Sequence, residues 1–309
     1  MAIRILQPGS GREEKPARVQ EEKKHKGENR TGVGTGVEAV LAEIDALIGL
    51  HKVKKLVREI YAWALINRRR REMGLAAEPH ALHMIFRGNP GTGKTTVARL
   101  LGKFFREAGL LPRGHLLEVE RADLVGEYVG HTAQKTREVV LKALGGILFI
   151  DEAYSLARGG EKDFGKEAID VLVKAMEDHK EELVLILAGY RDEMDYFLLT
   201  NPGLKSRFPI QLDFPDYTLR ELLAIGELMV EQKQYCLAPD AREELKRLLT
   251  LGTGGGRERE GNARLVRNLI EKAIRSQALR LMEKKDLSRE DLMLITREDI
   301  ARGREMVGG

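Results

Sequence analysis

A glycine-rich segment near residue 90 has the residue types that phosphate binding requires. It reads Gly88-Asn-Pro-Gly-Thr-Gly-Lys-Thr95, follows a predicted strand and opens a predicted helix. Glycines let the backbone bend so that its N–H groups converge on phosphate oxygens, and the helix N-terminus adds positive potential. Lys94 can reach the β- and γ-phosphates, and the Thr95 hydroxyl can bind Mg²⁺. The segment therefore predicts a nucleoside triphosphate site, with an ordinary glycine-rich turn as the alternative.

Two adjacent carboxylates, Asp151 and Glu152, follow the apolar run Ile147–Ile150. A carboxylate at the C-terminal end of a parallel strand faces the ligand crevice of an open α/β sheet. Asp151 can hold Mg²⁺ there through water, and Glu152 can polarise the water that attacks the γ-phosphate. The alternative is that the pair only caps the next helix. The phosphate loop upstream favours hydrolysis, with Lys94, Asp151 and Glu152 at its centre.

Short apolar runs alternate with amphipathic helical stretches upstream of Pro215, and this alternation predicts a parallel α/β sheet. The runs that begin at Ile147 and Leu183 lack polar alternation, as is typical of strands covered on both faces. One helix is predicted from Val37 to a break at Gly49, and a second closes near residue 74. The predicted strands are 82–86, 116–119, 147–150, 183–188 and 210–214, and the predicted helices between them are 95–108, 132–143 and 165–176.

No further strand is predicted beyond Pro215, so the last third of the chain is predicted to be a small helical domain. Thr218-Leu-Arg-Glu221 is a capping box, and Pro239 suits the first turn of another helix. Residues 252–256 predict a flexible break before a long helix from about Asn262 to Lys284. The predicted domains are a flexible basic tail (1–36), a nucleotide-binding α/β domain (37–216) and a helical lid domain (217–309).

The composition excludes secreted scaffolds, membrane proteins and fibrous proteins. The chain has 309 residues, of which 42% are hydrophobic, 5% aromatic and 32% charged, and its net charge of +4 is too small to indicate a nucleic-acid partner. A single cysteine, Cys236, fits a reducing compartment, so we expect a cytoplasmic protein. No apolar run reaches the roughly 18 residues of a membrane span. Residues 1–36 contain eight Lys/Arg, five Glu and no aromatic residue, which favours a flexible tail.

The two motifs, their surroundings and the helical C-terminal part resemble the AAA+ ATPase family over about residues 37–300. Four stretches resemble its CbbX/SpoVK subgroup, most closely the sporulation branch: 127–136, 148–154, 186–190 and 201–208. The resemblance implies a five-stranded P-loop domain followed by a lid domain. It also implies ATP and Mg²⁺ as cofactors and a homo-oligomeric ring, expected to be a hexamer.

The resemblance also implies roles for individual residues. Arg207 matches the arginine finger, which stabilises the charge on the transferring phosphoryl group in a neighbouring subunit, although a surface arginine is the alternative. Arg264 matches the sensor-2 position, with Arg267 as the fallback. At the end of the fourth strand, most family members place an Asn or Thr, called sensor 1, that senses the γ-phosphate. This chain has Ala188-Gly-Tyr-Arg191 there, so the resemblance does not identify its sensor-1 residue. The implied nucleotide-binding set is Ile48, Gly49, Asn89, Pro90, Gly91, Thr92, Gly93, Lys94, Thr95, Thr96 and Arg264. Within it, Ile48 and Gly49 belong to a segment that resembles the one that packs against the adenine ring in this family, although a plain turn between two helices is the alternative.

Tyr128, Val129 and Gly130 occupy the position of the family's central-pore loop. An aromatic side chain on a mobile loop can grip an extended peptide without reading its sequence, although Tyr128 could instead pack into the core. The leading hypothesis is an ATP-driven remodeller of an unidentified client protein, in sporulation. The alternatives are a red-type Rubisco activase, a DNA-acting ATPase and a nucleotide-switched scaffold. We interpret Arg68–Arg71 as a solvated helix end, so nucleic acid is not an expected partner.

Overall fold

The structure is a computed structural model that describes residues 33–77, 81–128, 130–158, 164–254 and 261–305. Most of the predicted tail, residues 1–32, lies outside the described residues. Its last four residues belong to the first helix, which begins at Val33 rather than at Val37. The glycine-rich break predicted at residues 252–256 also begins later, because the helix before it continues to Gly254.

The central sheet has five parallel strands in the order β2-β3-β4-β1-β5, which confirms the predicted fold class. In this register Phe86 lies between Ala188 and Leu212. The order places the carboxyl ends of β3, β4 and β1 side by side, which is where ligands bind in open α/β sheets. The strands are β1 (Met84–Gly88), β2 (Leu116–Val119), β3 (Ile147–Ile150), β4 (Val184–Gly189) and β5 (Ile210–Phe214).

Helices cover both faces of this sheet. Ile147 and Phe149 of β3 belong to one buried cluster, and the alternating Leu148 and Ile150 belong to another. Side chains alternate between the faces of a strand, so a run that is buried throughout requires a helical layer on each side. The helices of this domain are α1 (Val33–Asp45), α2 (His51–Glu72), α3 (Lys94–Glu107), α4 (Arg121–Leu124), α5 (His131–Ala143), α6 (Gly165–Asp178), α7 (Arg191–Thr200) and α8 (Pro202–Lys205), with a 3₁₀ helix at Ala153–Ala157.

The lid domain has its own apolar core, built around Leu222, Leu245, Val266 and Ile295. Two short parallel strands, which the sequence analysis did not predict, pair within it. The predicted capping box is present, since the Thr218 hydroxyl accepts a hydrogen bond from the N–H of the third residue of its helix. The lid elements are α9 (Leu219–Gln232), β6 (Cys236–Leu237), α10 (Pro239–Gly254), α11 (Asn262–Met282), α12 (Arg289–Met293), β7 (Leu294–Ile295) and α13 (Arg297–Glu305).

Among the helices that the structure describes, none is long and apolar enough to cross a membrane.

Candidate nucleotide site

The loop between β1 and α3 depends on glycine at two positions for different reasons. Gly91 and Gly93 have φ of +74° and +96°, a backbone conformation that side chains disfavour. A Cβ on Gly91 would also lie 2.5 Å from the carbonyl oxygen of Gly261, which belongs to the lid. The loop therefore needs glycine both to turn and to let the lid approach.

The Lys94 side chain spans this loop. Its Nζ donates hydrogen bonds to the carbonyl oxygens of Gly88, at 2.7 Å, and Asn89, at 2.9 Å. Burial lowers the pKa of Lys94, while the nearby carboxylate of Asp151 acts in the opposite direction and the guanidinium of Arg264 adds to the lowering. The side chain is thus held across the loop, where incoming phosphate charge would favour its protonated form.

The two carboxylates lie at the end of β3, as predicted. Asp151 continues the sheet pairing, since its N–H donates to the carbonyl of Val119 at 3.0 Å. Glu152 has φ of +46°, which is rare for a residue other than glycine, and its side chain makes no capping hydrogen bond to the 3₁₀ helix that follows. Strained backbone of this kind concentrates at functional sites. Glu152 thus occupies the N-cap position of this helix, but its side chain does not cap the helix.

A cleft of about 260 Å³ joins the phosphate loop, the end of the sheet and the lid. Asp151 and Glu152 border it from β3, Tyr190 from the end of β4, and Arg264 and Arg267 from α11. Both lid arginines therefore reach the cleft. Tyr190 lies in the segment where the sensor-1 residue was not identified from the sequence. The loop residues that border it are Gly88, Pro90, Gly91, Gly93, Lys94, Thr95 and Thr96.

Thr95 and Asp151 provide hard oxygen ligands of the kind that Mg²⁺ prefers. Mg²⁺ in nucleotide sites usually takes only one or two protein ligands, and phosphate oxygens and water complete its shell. Among the described residues, no cluster of three or more His, Cys, Asp or Glu side chains could hold a metal by itself. The donor set thus fits a magnesium ion that arrives with a nucleotide.

An exposed carboxylate that the sequence analysis missed connects the loop to the lid. The two oxygens of Asp216 accept hydrogen bonds from the Asn89 amide at 2.9 and 3.0 Å, and one accepts from the Asn262 amide at 2.9 Å. Beside it, the N–H of Ala263 donates to the Gly91 carbonyl at 3.1 Å. We call Asn89, Asp216 and Asn262 the clasp. It fixes the start of α11, and with it Arg264, against the phosphate loop.

The segment predicted to pack against adenine lies between the lid and the phosphate loop. Ile48 packs against the lid core, and a Cβ on Gly49 would meet the side chain of Glu221. From the lid side, the Tyr217 hydroxyl donates to the carbonyl of Thr92 at 3.2 Å, and burial raises the pKa of that phenol to about 12. Ile48 and Gly49 thus lie against the lid, and neither borders the cleft.

Two family models together match most of the chain, from residue 84 to residue 308. The model of the ATPase family associated with various cellular activities (AAA) matches residues 84–216, and an AAA lid domain model matches residues 218–308. Stage V sporulation protein K of Bacillus subtilis (strain 168) is 56% identical over 267 residues, which cover 86% of this chain and 83% of that protein. The chain belongs to the AAA ATPase family.

The chain is also similar to two further proteins at lower identity and to one solved structure. The chloroplastic ribulose bisphosphate carboxylase/oxygenase activase of Cyanidioschyzon merolae is 45% identical, over 87% of this chain and 93% of that protein. Protein CbbX of Cereibacter sphaeroides is 44% identical, over 89% of this chain and 90% of that protein. The ADP-bound FIGL-1 AAA domain shares the fold, with a TM-score of 0.57, 19% identity and coverage of 87% of this chain and 90% of that one.

Arg207 is not among the residues that border the cleft of this AAA ATPase. Its Nε donates to Oε1 of Glu177 at 3.0 Å, Nη2 donates to the same oxygen, and Nη1 donates to the Gly203 carbonyl at 2.8 Å. The side chain is 34% exposed. The structure thus places Arg207 away from the cleft, with its side chain partly exposed.

The predicted pore-loop residues precede α5. Tyr128 is 66% exposed, and its ring meets the His131 ring edge-on with the centroids 5.5 Å apart, so the core-packing alternative is wrong. Gly130 has φ of +80° and precedes the first residue of the helix. Val129 lies outside the described residues. The loop therefore presents an aromatic side chain to solvent.

Proposed function

We propose that this AAA ATPase hydrolyses ATP with Mg²⁺ at the contact between identical copies in a ring, and that it remodels a partner protein during sporulation. One observation carries the proposal. Lys94, Asp151, Glu152 and Arg264 converge on one cleft, whereas the partly exposed Arg207 does not border it. A cleft with these groups and no finger of its own is suited to completion by a second copy.

Each residue then has a chemical task. The loop N–H groups and Lys94 bind the β- and γ-phosphates, and Thr95 and Asp151 hold Mg²⁺, which offsets phosphate charge. Glu152 orients and deprotonates the attacking water. Arg207 of a neighbouring copy stabilises the charge that develops on the transferred phosphoryl group. Arg264 and the clasp relate the position of the lid to the state of the phosphates.

A mixing experiment tests whether neighbouring copies share the site. Glu152→Gln chains keep their phosphate loop and Arg207, and Arg207→Ala chains keep the cleft. Each alone should lose at least about a thousandfold in hydrolysis rate. In an equal random mixture, about one contact in four joins an intact cleft to an intact finger, because each has a chance of about one half. We therefore expect activity to return on mixing, and its continued absence in co-assembled rings would refute the proposal.

The proposal that the ring remodels a partner protein depends on Tyr128. In a Glu152→Gln background, which should trap ATP, we expect rings to bind fluorescent casein as a probe for an unfolded segment. Tyr128→Ala should lose this binding. Tyr196→Ala is the matched control, since that tyrosine is 70% exposed and lies on α7. Equal binding by both variants would contradict a threading role.

The sporulation role is supported by the 56% identity to stage V sporulation protein K. It is tested in a Bacillus subtilis strain that lacks its own copy of that protein. Expression of this chain should restore spore formation, and expression of the Glu152→Gln variant should not. Failure of the stably expressed, unsubstituted chain would remove sporulation from the proposal without affecting the ATPase.

A second function is favoured by the 45% identity to a ribulose bisphosphate carboxylase/oxygenase activase. An activase should release sugar phosphate from an inhibited carboxylase, and ribulose bisphosphate should stimulate its ATPase. Absence of both effects in rings that hydrolyse ATP would exclude this alternative.

A further inference from the structure

The Arg207 guanidinium is held in one orientation by its own subunit. Glu177 accepts two of its N–H groups on a single oxygen, and the Gly203 carbonyl accepts a third. A guanidinium has five N–H donors, so two remain without a partner among the described residues. The contact therefore fixes the plane of the group and leaves donors for a further acceptor.

The backbone on both sides of this contact is anchored. Leu204 and Phe208 flank Arg207 and are buried, with 3% and 1% exposure. Glu177 lies in the last turn of α6, next to Met176, which is also buried. Because both backbones are fixed by apolar packing, the freedom that remains near the finger is that of its side chain.

A free arginine side chain at a surface has many rotamers, and the cost of fixing one is among the largest of any residue. A hydrogen bond stabilises a transition state most when its donor is already oriented. Small misplacements of the reacting groups lower the rate by large factors. An acceptor that holds the guanidinium in place before the neighbouring copy binds would reduce both the entropy lost on fixing the side chain and the rate lost through misplacement. Glu177, with its carboxylate 61% exposed, is accessible at the same surface as the finger.

We propose that Glu177 is a positioning residue for hydrolysis, which orients Arg207 for the cleft of the neighbouring copy. The inference rests on the proposed role of Arg207 at that contact. It predicts that the loss of Glu177 lowers kcat and leaves KM nearly unchanged, because Glu177 acts on the finger and not on the bound nucleotide. It also predicts that the defect belongs to the subunit that donates the finger.

The test uses the mixed rings described above. Arg207→Ala chains supply every intact cleft, and Glu152→Gln chains supply every intact finger. The finger chain then receives a second substitution, either Glu177→Ala or Asp178→Asn. Asp178 is the next residue of α6, is exposed and also carries one negative charge, so it controls for charge and for position in the helix.

We expect the Glu177→Ala mixture to show about tenfold lower kcat than the Asp178→Asn mixture at equal ring content. Glu177→Gln keeps an acceptor oxygen of the same reach and should lie between them. Ring content and unfolding temperature are measured for each variant, which separates a loss of assembly or folding from a loss of orientation. Because the residue is exposed, we expect neither to change.

The outcomes distinguish the inference from the proposed function. If the reference mixture of Arg207→Ala and Glu152→Gln chains recovers no hydrolysis, the shared site is refuted and the role of Glu177 with it. If that mixture recovers and Glu177→Ala matches or exceeds Asp178→Asn, the shared site stands and the positioning role is overturned. A rise in kcat would identify the contact as a restraint on Arg207.

Discussion

Acid should destabilise this fold through one buried histidine. His83 directly precedes β1 and is 2% exposed. Its Nδ1 accepts a hydrogen bond from the N–H of Leu185 in β4 at 3.0 Å, so a protonated ring would place two N–H groups against each other. Burial lowers the pKa of His83 from 6.5 to about 4, with the Met176 backbone acting in the opposite direction.

The size of the effect follows from this difference. Between pH 6.5 and 4 the unfolded chain binds the proton and the folded chain does not, so stability falls as the pH falls through this window. Integration from about pH 7.5 to about pH 5 gives a loss of about 2 kcal/mol in the free energy of unfolding from His83 alone. Acid-induced loss from other groups adds to this value and must be subtracted.

His83→Asn makes that subtraction possible, since the Asn oxygen can accept the Leu185 N–H and cannot be protonated in this range. The free energy of unfolding is measured by urea titration at both pH values, without nucleotide. The difference between the two pH values should be about 2 kcal/mol smaller in His83→Asn than in the unsubstituted chain. His51→Asn, at an exposed position of α2, should behave like the unsubstituted chain. Equal pH dependence in all three proteins would refute the assignment.

Two further predictions concern the cleft. Asp216→Ala removes the shared hydrogen-bond acceptor of Asn89 and Asn262. We expect about tenfold weaker ATP binding, measured by titration calorimetry, because the loop and the lid lose about 1.4 kcal/mol of hydrogen bonding. Glu231→Ala, which removes an exposed charge elsewhere in the lid, should bind ATP normally, and equal affinity of the two variants would exclude a role for the clasp. Burial lowers the pKa of Lys94, and bound phosphate should raise it. ATP binding should therefore take up protons and should weaken as the pH rises through the lowered pKa. Calorimetry in buffers of different ionisation enthalpy measures this uptake, and Lys94→Arg, which keeps its charge throughout, should take up fewer protons.

The parts of the site that the sequence predicts well are local. The loop at Gly88–Thr95 and the pair Asp151–Glu152 are contiguous stretches whose chemistry depends on neighbouring backbone. Their positions at the ends of β1 and β3 follow from the alternation of strands and helices. The unbroken apolar runs at Ile147 and Leu183 likewise predict β3 and β4, because such runs are typical of strands covered on both faces. The two-residue strands of the lid were not predicted, because a pair of residues has no periodicity that distinguishes a strand from a loop.

The sequence by itself determined the family fold, the phosphate loop and the strand-end carboxylates, because each is encoded in a short run of residues. Only the tertiary structure decided which distant side chains meet. Asn89 and Asp216 are 127 residues apart in the chain, and Glu177 and Arg207 are 30 apart. Nothing in an exposed Asp or Glu considered alone distinguishes a partner of the loop or of the finger from a solvated surface charge. That distinction arises when packing of the apolar core brings their backbones together.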